Sequence, residues 1–324
     1  MSLLYAAGVT RLASGGLQPE LSANLVDDVR QVLEFPFMVN AFRAGTIVAV
    51  LAALVGWFMV LRRQTFAGHT LAVVGFPGAA GAVLIGISAT YGLFAFAFAA
   101  AVLIALVPGA RTRAFSQESA VTGTVQAFAL AAGFLFANLY GGFLGGANAL
   151  LFGSFLGITA EQVTVLLVVA LLTLLILAAV SRPLFFASLD AQVAAARGIP
   201  VRLLSIAFLL LLAAAAAEVS VITGTLLVFA LLVIPAATAQ QITPRPVLSA
   251  LIAVALAVAV TWGSLFIAYF SPYPIGFYLT SLAFASYLVA ILTHEIIGRT
   301  RRTLGLRRLS GLTPGPADSS GAGR

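Results

Sequence analysis

The chain has no lysine and no cysteine. Without lysine there is no Walker A nucleotide loop, because that loop needs its Lys on the phosphates. Schiff-base chemistry is excluded for the same reason. Any ATP used on behalf of this protein is hydrolysed by another chain. Without cysteine there are no thiolate metal sites and no disulfides. Charge is also scarce: 8% of residues are charged and 61% are hydrophobic, whereas a soluble domain carries about 25% charged residues. The period-two alternation of a membrane β-barrel is missing as well.

What is present is long uncharged sequence. Runs extend from Ala44 to Leu61, Gln64 to Ala110 (with one His), Ser119 to Ala160, Gln162 to Ser181, Leu203 to Ala217, Val219 to Pro244 and Pro246 to Thr293. A span needs about 20 apolar residues, so several runs hold two crossings. The sequence predicts an all-α, polytopic transmembrane bundle with helices near 38–61, 66–88, 91–109, 120–140, 162–181, 203–221, 224–241, 246–270 and 276–298.

All of the 17 arginines except Arg11, Arg30 and Arg43 fall on one side of that reading. Every second linker is basic: Arg62 and Arg63; Arg111 and Arg113; Arg182, Arg197 and Arg202; Arg245; and the tail from Arg299. The intervening linkers contain no Arg. Cytoplasmic loops retain basic residues, so the N-terminus is expected outside and the C-terminus in the cytoplasm of a multi-pass cell-membrane protein. The net charge of +7 then reflects topology and anionic lipid contact, not nucleic-acid binding.

Residues 1–36 read as an external, partly amphipathic lead-in without an evident signal peptide. Residues 37–298 form the transmembrane domain. Residues 299–324 read as a basic, disordered cytoplasmic tail that turns Gly/Pro/Ser-rich after Ser310. Gly75, Gly78 and Gly81, and the alanines from Ala213 to Ala217, are expected to form helix–helix faces. The segment from Tyr140 to Gln162 is Gly-rich and too apolar for a solvated loop. It reads as a re-entrant or surface helix at the rim of a pathway, or as a tight loop.

An internal linker runs from Arg182 to Pro200. Ser188 is a candidate N-cap and Gly198 a candidate terminator, which predicts a short amphipathic helix over 188–198. Leu189, Val193 and Ala196 form its apolar stripe, with Asp190, Gln192 and Arg197 elsewhere. The stripe suits either lipid or a groove in a partner. Arg202 and Arg245 are too close in sequence for more than two crossings, which puts the external turn near Thr223-Gly224. Glu218 then lies within the membrane, either as a functional carboxylate or as a side chain snorkelling from a helix end.

The order of features resembles the permease subunits of ABC importers for divalent metals (zinc, manganese, iron). The resemblance covers most of residues 36–298. It rests on Pro36-Phe37-Met38; the Leu61-Arg62-Arg63 exit followed by Gly68 and Pro77-Gly78; Leu151-Phe152-Gly153-Ser154; the helix ending Gly198-Ile199-Pro200; and Gly224-x-Leu226-Leu227 followed by Ile234-Pro235-Ala236-Ala237-Thr238-Ala239. It implies a translocation path for a zinc or manganese ion, a separate ATPase gripping residues 188–198, an external binding protein and a homodimer. The family motif in span 2 is Gly-Asp-x-x-x-His, two ligands one turn apart. Here His69 stands at the Asp position and Val73 at the His position. His69 remains a nitrogen ligand for a borderline metal; Val73 ligates nothing. Glu218, Asn138, Asn148 or a dimer mate would have to complete the site.

Three function classes follow. One is the membrane subunit of an ATP-driven importer for a metal ion, or for a metal chelate or non-metal solute. Another is an ion-coupled secondary transporter, for which His69 and Glu218 are the available ionisable groups. The last is an intramembrane enzyme, disfavoured because beyond those two the spans offer only His294 and Glu295 and no HExxH. The expectation is therefore a non-enzymatic permease that binds no cofactor of its own.

Overall fold

The computed structural model describes residues 25–106, 115–139, 153, 155–225 and 227–310, with backbone alone at 25, 115–119 and 156 and from 294 onward. All regular structure among them is helical. The lead-in contains α1, Leu25–Glu34, which buries Val32 and Asp28. Pro36 opens α2, Pro36–Leu61, at the first-turn position where its missing N–H costs nothing. The second predicted span is two helices, α3 (Thr65–Val73) and α4 (Gly75–Leu84), joined at Val74. Pro77 removes the amide that would bond back to Val73, which accounts for the break. Then come α5 (Ala89–Leu106), α6 (Phe115–Leu139), a 3-10 turn at Phe155–Gly157 and α7 (Ala160–Leu189). The remainder is α8 (Ala191–Ala196), α9 (Val201–Thr223), α10 (Val228–Ile242), α11 (Pro246–Tyr269) and α12 (Ile275–Ser310).

Eight of these segments are long and apolar enough to cross a membrane, and α10 is a shorter apolar helix of 15 residues. The crossing expected over 224–241, the seventh of nine, is therefore truncated: α10 starts at Val228, not at Gly224. At 1.5 Å per residue it spans about 22 Å, less than the roughly 30 Å of hydrocarbon. The last helix also departs from expectation. It runs on through Arg299 to Ser310, so the first part of the expected tail is helical.

Two helices form the centre. α2 packs against α7, α9, α10 and α11, and α9 packs against α2, α3, α5 and α7. In α9, 78% of the most apolar stretch is buried, against 22% in α7. Ala213 to Ala217 are all buried, as the small-residue reading predicts. The outer face of α7 instead exposes Val165, Val168, Leu172 and Leu175, a surface suited to lipid.

The α4–α5 crossing shows why small residues sit at these faces. A Cβ on Gly78 would fall 2.2 Å from the Gly92 carbonyl oxygen, and one on Gly92 would fall 2.0 Å from that of Gly78. The two backbones touch directly, and no rotamer change relieves an added methyl. Gly78→Val is expected to destabilise the bundle by more than the ~1–3 kcal/mol typical of overpacking. A thermal-unfolding series in detergent, with the flexible-neighbour site Gly263→Ala as control, checks this.

Arg62, Arg197 and Arg202 gather at one end of the bundle. Arg62 at the end of α2 donates from Nη1 to Ser188 Oγ (3.2 Å) and from Nη2 to Ser205 Oγ (3.0 Å). Arg197 lies over the Phe186 ring. Arg245 joins them, because Trp57 near the same end donates to Ser249 Oγ and accepts from Gln240 through its carbonyl. Residues 107–114, with Arg111 and Arg113, lie outside the described residues.

Candidate translocation path and coupling surface

Four features could serve transport: α8, His69, Glu218 and the junction between α9 and α10.

At the arginine-rich end, α8 is six residues long. The sequence reading placed its cap at Ser188; the structure moves it. α7 continues through Pro183 to Leu189, and Asp190 is the N-cap, its Oδ1 accepting from the amides of Gln192 (2.9 Å) and Val193 (3.0 Å). Ser188 stays in α7, donating to the Leu184 carbonyl and accepting from Arg62. Both residues are competent caps; Asp190 prevails because its backbone is extended (φ −147°, ψ 104°). Gly198 ends the element with φ +78°, the left-handed value that favours glycine. Ala194 is fully buried and seats the helix on the bundle, while Leu189 is 64% exposed and Val193 43% exposed. Gln192, Ala196 and Arg197 are exposed too. An apolar pair is thus presented outward from a rigidly capped turn.

Nearby, His69 sits on α3, half-buried, its ring meeting Phe229 of α10 edge-on at 5.3 Å. Its neighbour Thr70 donates to Gln126 Oε1 of α6 at 2.8 Å. Val73 is buried and offers no donor atom.

Glu218 is on α9, fully buried, and neither carboxylate oxygen has a hydrogen-bond partner. The snorkelling alternative fails: the side chain reaches no surface. No hydrogen bond joins the carboxylate to His69.

Asn138 is exposed near the end of α6. Twelve residues, about 18 Å, separate it from Gln126, so it does not complete a site at His69. Asn148 lies outside the described residues, as does most of the Gly-rich segment, 140–152 and 154. The side chains of His294 and Glu295 are also outside them. Among the described residues no three His, Cys, Asp or Glu side chains converge as a metal site.

The far end carries a feature that sequence reasoning located only in part. α9 stops at Thr223, where the turn was expected, and the next helix starts only at Val228. Gly224 has φ +74° and ψ 159°, a region open essentially to glycine alone. Gly153 (φ +76°) presses on it: a Cβ there would fall 2.2 Å from the Ile222 carbonyl oxygen and 2.6 Å from the Gly224 nitrogen. Phe155 is buried beside it, and Asn40 donates to the Ile158 carbonyl. The end of the Gly-rich segment is thus tucked against the broken α9–α10 junction. Irregular backbone at membrane depth persists where protein covers it or a cavity adjoins it, and broken helices mark transporter sites.

Comparison with known proteins agrees with this architecture. The chain is similar to the manganese transport system membrane protein MntC of Halalkalibacterium halodurans, 29% identical over 225 residues, covering 69% of this chain and 75% of that one. It is similar to the chelated iron transport system membrane protein YfeC of Yersinia pestis, 28% identical, covering 66% of this chain and 72% of that one. In fold it matches PsaBC from Streptococcus pneumoniae, solved in complex with Fab, with TM-score 0.73 and 22% identity over 82% of this chain and 95% of that chain. The profile described as the ABC 3 transport family matches residues 34–294, nearly every described helix. The chain is a multi-pass membrane protein that belongs to the ABC 3 transport family.

Proposed function

We propose that this chain is the membrane subunit of an ATP-driven importer carrying a divalent metal, and that a second copy, two ATPase subunits and an external binding protein complete the machine. The observation that carries the reading is α8. The last residue of α7, Leu189, and Val193 on the capped, six-residue α8 seated by Ala194 are held outward together at the arginine-rich end. An exposed apolar pair on a rigid turn suits a groove in a partner. A chain without lysine needs such a partner for nucleotide hydrolysis. The alternation of arginine along the chain puts that end in the cytoplasm. Glu218, His69 and the α9–α10 break mark the path. The curated relatives named for manganese and for chelated iron support a metal cargo.

A second reading concerns the form of the cargo. Val73 supplies no ligand and His69 is packed against Phe229. One imidazole beside an aromatic ring suits a metal carried inside an organic chelate at least as well as a bare ion.

The test is metal-dependent ATPase stimulation in the reconstituted complex. Manganese, zinc and an iron chelate are compared for wild type and His69→Ala. If the imidazole ligates a bare ion, His69→Ala loses stimulation by that ion by about tenfold or more. Stimulation by the chelate alone, unaltered in His69→Ala, selects the second reading. Failure of all three cargoes to stimulate wild type overturns the metal assignment.

A further inference from the structure

Helix α1 has three sides. At about 100° per residue, Asp28 and Val32 share one side, Val29 and Leu33 the next, and Arg30 and Glu34 the third. Asp28 and Val32 are buried, so α1 lies against the bundle rather than standing off it. Val29 is 45% exposed and Leu33 49% exposed. Arg30 and Glu34 are exposed as well. The chain then passes through Phe35, whose backbone is extended (φ −88°, ψ 120°), and Pro36 opens α2.

The rings around that joint mark its level. Phe35 meets Phe37 at 5.5 Å and Tyr269, the last residue of α11, at 6.0 Å between ring centres. At the start of α12, Tyr273 meets Phe277 at 6.4 Å. Phe35, Phe37, Tyr273 and Phe277 are all exposed. This is the end opposite Arg62 and Arg245, because α2 begins here and runs to Leu61, and α11 starts after Arg245 and finishes here. Exposed aromatic rings gathered at one end of a set of spans are characteristic of a membrane–water interface.

We propose that the Val29–Leu33 side of α1 lies on the phospholipid surface at this end, which makes α1 an interfacial anchor for α2. A short helix that separates an apolar side from a charged one suits the plane of the interface. With Asp28 and Val32 docked on protein, the apolar side turns to lipid and the Arg30–Glu34 side to water. The touching rings of Phe35 and Phe37 join α1 to the first turn of a membrane-crossing helix. Charge does not supply the attraction: α1 carries Asp27, Asp28 and Glu34 against Arg30. Apolar burial holds it, and no anionic lipid is required. The anchor fixes the height of α2, the helix against which α7, α9, α10 and α11 pack. It holds for either orientation of the chain and for any cargo.

The experiment uses the full-length chain reconstituted into phosphatidylcholine vesicles. Because the chain has no cysteine, Val29→Cys, Leu33→Cys, Arg30→Cys and Glu34→Cys each give one site for a nitroxide label. All four positions are exposed, so the substitutions are expected to leave the fold intact. Label depth is read from collisions with oxygen against collisions with a water-soluble nickel chelate, calibrated with nitroxide lipids. Labels at positions 29 and 33 should lie about 5–10 Å inside the headgroup boundary, and labels at 30 and 34 outside it. Equal access of the nickel chelate to all four labels overturns the proposal, because the apolar side then faces water. Shielding of 29 and 33 from both oxygen and nickel overturns it too, because protein, such as a second copy of this chain, then covers that side. Insertion that appears only after phosphatidylglycerol is added overturns the claim that apolar burial holds the helix. None of these readouts requires transport or an ATPase, so they succeed or fail independently of the metal reading.

Discussion

Leu189→Asp combined with Val193→Asp is expected to abolish co-purification of the ATPase and to stop uptake, while the permease itself still folds. Both side chains are largely solvent-facing in the isolated chain, so the substitutions create no buried charge there. Surface changes of this kind usually stay within about 0.5 kcal/mol. In a partner groove the situation reverses. Each new carboxylate would be desolvated against apolar surface at a cost of several kcal/mol, and every ~1.4 kcal/mol is a factor of ten in affinity. Two such groups weaken a micromolar contact beyond detection. Thermal unfolding of the variant should match wild type, which separates lost docking from lost fold. Persistence of both co-purification and uptake would remove α8 from the coupling role.

Glu218→Leu is expected to raise the unfolding temperature and to depress uptake at least tenfold. The carboxylate is fully buried and both oxygens are unpartnered. An unsatisfied buried polar group costs about 1–3 kcal/mol, and leucine fills similar volume without that cost. A chain that retains an unfavourable group within its bundle is expected to use it, because intramembrane acids mark ion and substrate paths. Glu218→Gln keeps a polar group and the shape while removing the charge. It should recover less stability than leucine and should transport as poorly if charge is what matters. Unaltered uptake in Glu218→Leu would make the carboxylate a tolerated packing group and would redirect the path elsewhere.

The contrast between the helix placements and the site geometry has physical reasons. Span positions were legible because hydrocarbon demands long apolar runs, and the arginine linkers punctuate them. The turn at Thr223-Gly224 was legible because Arg202 and Arg245 leave room for only two crossings. The alanine face of α9 followed from the need for close backbones in lipid. The truncation of α10 was not legible. Leu226, Leu227 and Val228 are equally apolar wound or unwound, and only the φ of Gly224 reveals the break. The cap of α8 was misplaced because Ser188 and Asp190 satisfy the same sequence rule, and Pro183 proved compatible with a continuing helix. That His69 and Glu218 share no hydrogen bond was not legible, since it depends on how α3 and α9 pack. Arg62 was read for topology and as part of the Leu61-Arg62-Arg63 exit; its contacts with Ser188 and Ser205 join residues more than a hundred positions away.

One feature of α9 ties the two ends together. From Val201 to Thr223 it contains neither glycine nor proline, so over roughly 34 Å it has no internal joint. Its lower end is gripped through Ser205 by Arg62, and its upper end abuts Gly153. Such a stiff rod pivots rather than bends. Under the proposed function, a tilt imposed at its base is therefore transmitted to its top, and Glu218 is carried along with it.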